Sequence, residues 1–101
     1  MAEVARDGDK VEMKRCPVGK EWHIIAKATK AFEDGKAVAR KMDPIDCPLV
    51  KDDPTKAHIE EGSDKWFEDG LPIARKGDKI ICTICGKGKI IEGSSRYFDE
   101  G

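Results

Sequence analysis

The stretches AFEDGKAVAR (residues 31–40) and WFEDGLPIAR (residues 66–75) write one pattern twice, and YFDEG (residues 97–101) begins it a third time. Aligned on the aromatic, Phe32, Phe67 and Phe98 are each followed three residues later by Gly35, Gly70 and Gly101, with two acidic residues between. A short polar pair ending in glycine between apolar flanks is hairpin-turn chemistry, because glycine reaches positive φ at low cost. After the turn, Ala37-Val38-Ala39-Arg40 and Pro72-Ile73-Ala74-Arg75 read as short outgoing strands, each Arg followed three residues later by Asp43 or Asp78. Val4-Ala5-Arg6-Asp7-Gly8-Asp9 matches that outgoing half. Three units therefore fill the chain, and repetition at this period means one small supersecondary unit stacked or arranged in a ring.

The register of the ends decides between ring and open array. Residues 1–9 carry an outgoing strand whose incoming partner is the segment from Ile90 to Phe98, so pairing the two closes the ring. An open array would leave two unpaired sheet edges, which invite aggregation. Gly, Pro and Asp interrupt the chain too often for a long helical period. The expectation is an all-β domain over 1–101, with little helix and approximate threefold symmetry within one polypeptide.

Composition narrows function by exclusion. The 19 Lys and Arg nearly cancel the 20 Asp and Glu, leaving a formal net charge of −1, without the basic excess of a dedicated nucleic-acid binder. Apolar runs are pairs and triplets such as Ile80-Ile81-Cys82, far short of the roughly 20 residues that span a bilayer. The segment MAEVARDGDK resembles neither a signal peptide nor a transit peptide, which places folding in a reducing cytoplasm. There, four cysteines read as metal ligands, reactive groups or buried apolar residues rather than as two disulfides. No Ser, His and acid grouping is evident, and Glu33-Asp34 and Glu68-Asp69 read as turns, so no catalytic residues are assigned.

The candidate metal ligands fall between each repeat Asp and the next aromatic. They are Cys16 and His23 in the first unit, Cys47 and His58 in the second, and Cys82 and Cys85 in the third. His23, His58 and Lys89 each lie nine residues before their aromatic, so the third unit has lost an imidazole and has a thiol nearby. Corresponding loops in a threefold arrangement converge near the axis, and tetrahedral zinc takes four ligands from thiolate and imidazole. The favoured set is Cys16, Cys47, His58 and Cys82, with Cys85 or His23 able to replace one. Buried apolar thiols and half-exposed strand histidines are the alternatives. A small domain with three Phe, two Trp and one Tyr gains most from such a staple.

VARDGDK, AVARKMDPIDC, PIARKGDKIIC and IIEGSSRYFDEG together resemble the PAAR-repeat proteins, named for a Pro-Ala-Ala-Arg-like motif before Gly-Asp. The resemblance spans essentially the whole chain. It implies a small cone of three β-hairpin repeats with zinc near the tip, bound by His and Cys. Such a cone sits as one copy on the trimeric β-helical spike of type VI secretion systems and contractile phage tails. The motif Arg corresponds to Arg6, Arg40 and Arg75, and Gly-Asp to Gly8-Asp9 and Gly77-Asp78; the cysteine four residues past Asp corresponds to Cys47 and Cys82, and the His to His58. Met42 replaces Gly in the second copy, Pro survives only as Pro72, and Cys16 lies seven residues after Asp9 rather than four.

The implied function is mechanical: a monomer that caps and sharpens the spike, cytoplasmic before firing, exported or virion-associated afterwards, and touching the target membrane transiently. The strands near Val38 and Ile73 are the expected base. The alternative from another class is a zinc- or iron-binding module of rubredoxin type, which wants two C-x2-C knuckles where this chain has one.

Overall fold

The computed structural model describes residues 2–16, 19, 21–27, 31–33, 35–50, 53, 55–94 and 98–99. Among them there is no helix. The described residues form eleven short strands: β1 (Ala2–Glu3), β2 (Lys10–Glu12), β3 (Glu21–His23), β4 (Phe32–Glu33), β5 (Lys36–Ala37), β6 (Ala57–Ile59), β7 (Phe67–Glu68), β8 (Leu71–Pro72), β9 (Lys79–Cys82), β10 (Gly86–Ile90) and β11 (Phe98–Asp99). All pairings between them are antiparallel. The molecule measures 34 × 24 × 22 Å, elongated as an all-β cone requires.

The three outgoing strands meet at the centre in a cycle of backbone hydrogen bonds. Ala5 N–H donates to the Ala74 carbonyl at 3.0 Å, Ala74 N–H to Ala39 at 2.9 Å, and Ala39 N–H back to Ala5 at 2.9 Å. A second cycle surrounds it: Asp7 donates to Ala37, Lys41 to Pro72 and Lys76 to Glu3, at 2.7, 2.8 and 2.7 Å. Ala5, Ala39 and Ala74 are all fully buried, since three chains converging on one axis leave room for little more than a methyl group. Extended residues alternate between faces. The neighbouring Val4, Val38 and Ile73 therefore point the other way, into a separate small cluster beside Ala31 and Trp66. The alanines face the main core.

On the Val4–Val38–Ile73 side, each unit ends in a two-stranded hairpin. β4 pairs with β5, β7 with β8, and β1 with β11 through Ala2↔Asp99 and Glu3↔Phe98. The ring thus closes as the repeat register requires. Asp69 and Gly70 both have positive φ, 54° and 82°, as a two-residue hairpin turn of the primed type demands. The corresponding turn of the third copy, Glu100-Gly101, lies outside the described residues, as does Tyr97 at the variable position before Phe98.

On the other side, a five-stranded antiparallel sheet runs in the order β3-β2-β10-β9-β6 and curls on itself. The gap between its edges is bridged by the segment 44–46, through Pro44↔His58 and Ile24↔Ile45. The second unit therefore supplies isolated bridges where the others supply a full outgoing strand. Pro44 stands where Lys10 and Lys79 donate, and proline has no N–H to give. The acceptors follow suit: Glu92 and Glu61 carboxylates accept from Lys10 and Lys79 N–H, while the equivalent facing Pro44 is Ala26. Asp46 compensates, its carboxylate accepting from His23 N–H at 2.7 Å and lying 3.2 Å from His23 Nδ1. Inside this curl lie Met13, Ile24, Ile45, Ile59, Ile80 and Ile90, all essentially buried.

The waist between the two ends is held by the repeated Arg and Asp. Arg6, Arg40 and Arg75 N–H each donate to the carboxylate three residues on, at 2.8 Å in every copy. The turn between them requires positive φ, which is 83° at Gly8, 94° at Gly77 and 79° at Met42. In the second copy the guanidinium is drawn to Glu68 of the next hairpin at 3.0 Å, and stands 3.7 Å from Asp43. Burial pushes the Asp43 carboxyl above its ordinary range, against the opposing pull of the Arg40 N–H and charge and the Lys27 N–H.

Two outcomes follow from this geometry. Met42 is a non-glycine residue in left-handed backbone with an exposed side chain, so Met42→Gly relieves strain and loses little burial. The variant is expected to be more stable by about 1 kcal/mol, read from denaturant midpoints at unchanged m-value. Deleting residues 2–6 removes one side of both hydrogen-bond cycles, so it is expected to lower the melting temperature of the whole domain. A loose tail would leave that temperature unchanged.

Candidate metal centre

At the end away from the hairpins, the curled sheet gathers the cysteines. Each outgoing segment leaves the waist at Asp9, Asp43 or Asp78, runs through the core and turns. Ile24, Ile59 and Ile90 then bring the chain back to the same Asp carbonyls, at 2.9, 3.1 and 2.9 Å. The thiols sit at those turns. Cys16, Cys47, Cys82 and Cys85 are all free, and all buried. The sulfurs of Cys16, Cys47 and Cys85 lie within 4.8 Å of one another.

Cys82 joins them through the C-x2-C turn between β9 and β10. The Cys85 backbone N–H donates to Cys82 Sγ at 3.3 Å, the contact of a turn that holds two sulfurs on one side. The Leu49 N–H favours the Cys47 thiolate in the same way. Amide donors aimed at sulfur favour the thiolate, the form that binds metal. Burial has the opposite effect. It raises the Cys47 thiol above its ordinary value, and it raises Cys85 further, with the neighbouring sulfurs adding to the effect. A cation bound among these sulfurs would take the place of the thiol protons.

The donor set fits that role. Thiolates about 2.3 Å from a tetrahedral ion stand roughly 3.8 Å apart, so Cys16, Cys47 and Cys85 need only slight contraction, and Cys82, tied to Cys85 through its turn, would supply the fourth donor. The site is closed by protein, as structural sites are and catalytic ones are not.

The structure brings four of the six sequence candidates together and separates the two histidines from them. His58 lies on β6 between fully buried Ala57 and Ile59. Ala57 is registered against Cys82 and His58 against Ile81. Strand alternation puts His58 on the outer face, opposite the Cys82 side chain. His23 is half exposed on β3 and engaged with Asp46. Of the expected set Cys16, Cys47, His58 and Cys82, the three cysteines lie at the thiol end with Cys85, and His58 is turned to the outer face. A signal for this was present: Cys16 lies seven residues after Asp9, and Cys85 seven after Asp78, while Cys47 and Cys82 both lie four after their Asp. The thiols form two registered pairs, and the offset of Cys16 that set it apart is what matches it to Cys85.

Fold and site together define a class: a threefold ring of hairpins built on one chain, closed at one end by a thiol cluster able to bind metal. The chain belongs to the PAAR-motif family, whose model matches residues 23–82 and again residues 51–101. No curated protein matches the chain. The family is one of spike-tip proteins of secretion systems and contractile phage tails, a structural family rather than an enzyme class.

Purified without chelator, the protein is expected to carry one metal equivalent. Cys82→Ser and Cys85→Ser should lose it and leave the domain largely unfolded, since a structural zinc site contributes on the order of 10 kcal/mol of apparent folding energy. His58→Ala and His23→Ala should keep a full equivalent. Elemental analysis with melting curves separates these outcomes.

Proposed function

We propose that this chain caps and sharpens the trimeric β-helical spike of a contractile injection machine, as one copy per three spike chains. The observation that carries the reading is the closed cycle through Ala5, Ala74 and Ala39, which gives one polypeptide three related faces. Such a molecule can pair with three identical subunits and still taper to a point, which a blunt trimer cannot do by itself. Cladding the open strand ends of the spike would also remove exposed sheet edges.

The hairpin end supports the docking role. Phe32 and Phe67 occupy equivalent positions and are 57% and 56% exposed. The backbone of Phe98 takes the third position in β11, and its side chain lies outside the described residues. Val38 and Ile73, the expected base, are buried beneath these hairpins, so contact falls to the phenylalanines. Glu33 and Glu68 beside them are tied to Arg6 and Arg40, at 3.6 and 3.0 Å, which stiffens each hairpin against the waist.

At the other end, a zinc ion held by Cys16, Cys47, Cys82 and Cys85 would join three loops that the short strands alone secure weakly. Zinc has no redox chemistry and suits a purely structural task. A rubredoxin-type electron carrier is not favoured, since the family is structural. The protein is taken to wait in the cytoplasm and to leave on the fired spike.

Native mass measurement tests the proposal: a monomer alone, and one copy per trimer with the cognate spike. A 3:3 complex, or a stable homotrimer of the isolated chain, would overturn it. Phe32→Asp with Phe67→Asp is expected to weaken spike binding at least 100-fold while metal content and melting temperature hold, because buried aromatic anchors dominate such interfaces.

A further inference from the structure

The thiol end carries a feature that a structural metal does not account for. β10 reads Gly-Lys-Gly-Lys-Ile, and with β9 and the turn after β2 it borders an open cleft of about 720 Å³. Five of its lining residues are cationic, including Arg15, Lys79, Lys87 and Lys89, and one, Glu12, is acidic. That is a strong local excess on a chain whose net charge is −1. Lys89 is registered directly opposite Lys79 across the ladder, a like-charge pair that costs stability in a sheet. Glu12 meets only Lys14, at 3.9 Å, and among the described residues Arg15, Lys79, Lys87 and Lys89 have no ion-pair partner. Gly88 lets β10 lie close on the chain at Glu12 and Met13, since a Cβ there would strike the Glu12 carbonyl and the Met13 side chain.

Next to this cleft, in the turn between β9 and β10, Ile84 is 54% exposed. It is one of four large exposed hydrophobic side chains among the described residues, and it projects from a turn bounded by Cys82 and Cys85. An apolar residue standing out of a basic rim matches an anionic bilayer surface, where the side chain enters the acyl boundary and the cations meet lipid phosphates. A single-stranded nucleic acid would instead be met by stacking aromatics, and the exposed ones, Phe32 and Phe67, belong to the opposite end.

The geometry points to the Arg15–Lys87–Lys89 rim with Ile84 as a binding surface for anionic lipid headgroups. This rests on the spike-tip reading only for its setting, because docking the hairpin end leaves the thiol end facing outward. Vesicle binding by the isolated, metal-loaded protein can therefore fail or succeed independently of spike binding.

The test is co-sedimentation of the metal-loaded chain with vesicles of pure phosphatidylcholine and with vesicles containing phosphatidylglycerol. Binding is expected only to the anionic vesicles, falling steeply as salt is raised. The triple change Arg15→Gln, Lys87→Gln and Lys89→Gln should reduce partitioning on the order of 100-fold, given that each basic residue near such a surface contributes roughly fivefold. Ile84→Ser should reduce it several-fold at every salt concentration. All four substitutions lie on exposed positions, and unchanged metal content and spike binding confirm that the variants are folded. Equal binding to neutral vesicles, no binding to either kind, or tighter binding to a single-stranded oligonucleotide than to anionic vesicles would each overturn the assignment, as would full binding by the folded triple variant.

Discussion

Everything else in this molecule depends on the hydrogen-bond cycle of Ala5, Ala74 and Ala39. Each strand there is too short to be stable in isolation, and each satisfies its neighbour's backbone only because a third completes the circle. The cycle also sorts side chains. Valine and isoleucine go to one side and alanine to the other, so two unequal cores grow from one ring, the small one under the hairpins and the large one toward the thiols. The Arg and Asp of each repeat lie at the rim, where buried carboxylates accept the backbone N–H groups that a three-way junction leaves over.

Such a ring has a cost that a bound metal would offset. The apolar interior rests largely on aliphatic residues, and the three loops at the thiol end are joined only by short ladders. The second unit is weakest, since Pro44 removes a donor and Met42 sits in strained backbone. Its Cys47 nevertheless reaches the common sulfur cluster, so a bound ion would secure the loop that the sheet holds least firmly. Approximate symmetry tolerates this divergence because each unit answers to its neighbours rather than to an identical copy.

The two ends of the molecule differ in chemistry as well as in shape. The hairpin end exposes Phe32 and Phe67 above acid-bearing turns, while the thiol end exposes Ile84 and a basic rim. The basic rim is a local excess on a nearly neutral chain, which overall composition conceals. That difference gives the cone a direction, on which the proposed docking of the hairpin end to a trimer relies.

Repeat period, turn chemistry and end register made the all-β ring legible in the sequence, because a hairpin turn and its flanking strand are local and glycine marks them directly. The family's motif residues at Arg6, Arg40 and Arg75 were legible for the same reason. Which of the six candidates lie together was not, although all four cysteines stood among them. Whether a side chain at a given offset faces the axis or solvent depends on strand alternation and cross-strand register. The pairing of Ala57 with Cys82 is what turns His58 outward. Burial at Val38 and Ile73 was hidden on the same account: they look like surface strand residues until the ring folds three of their kind together. Sequence determined which residues could meet, since spacing is local; only the tertiary pairing of strands distant in the chain decided which of them face one another.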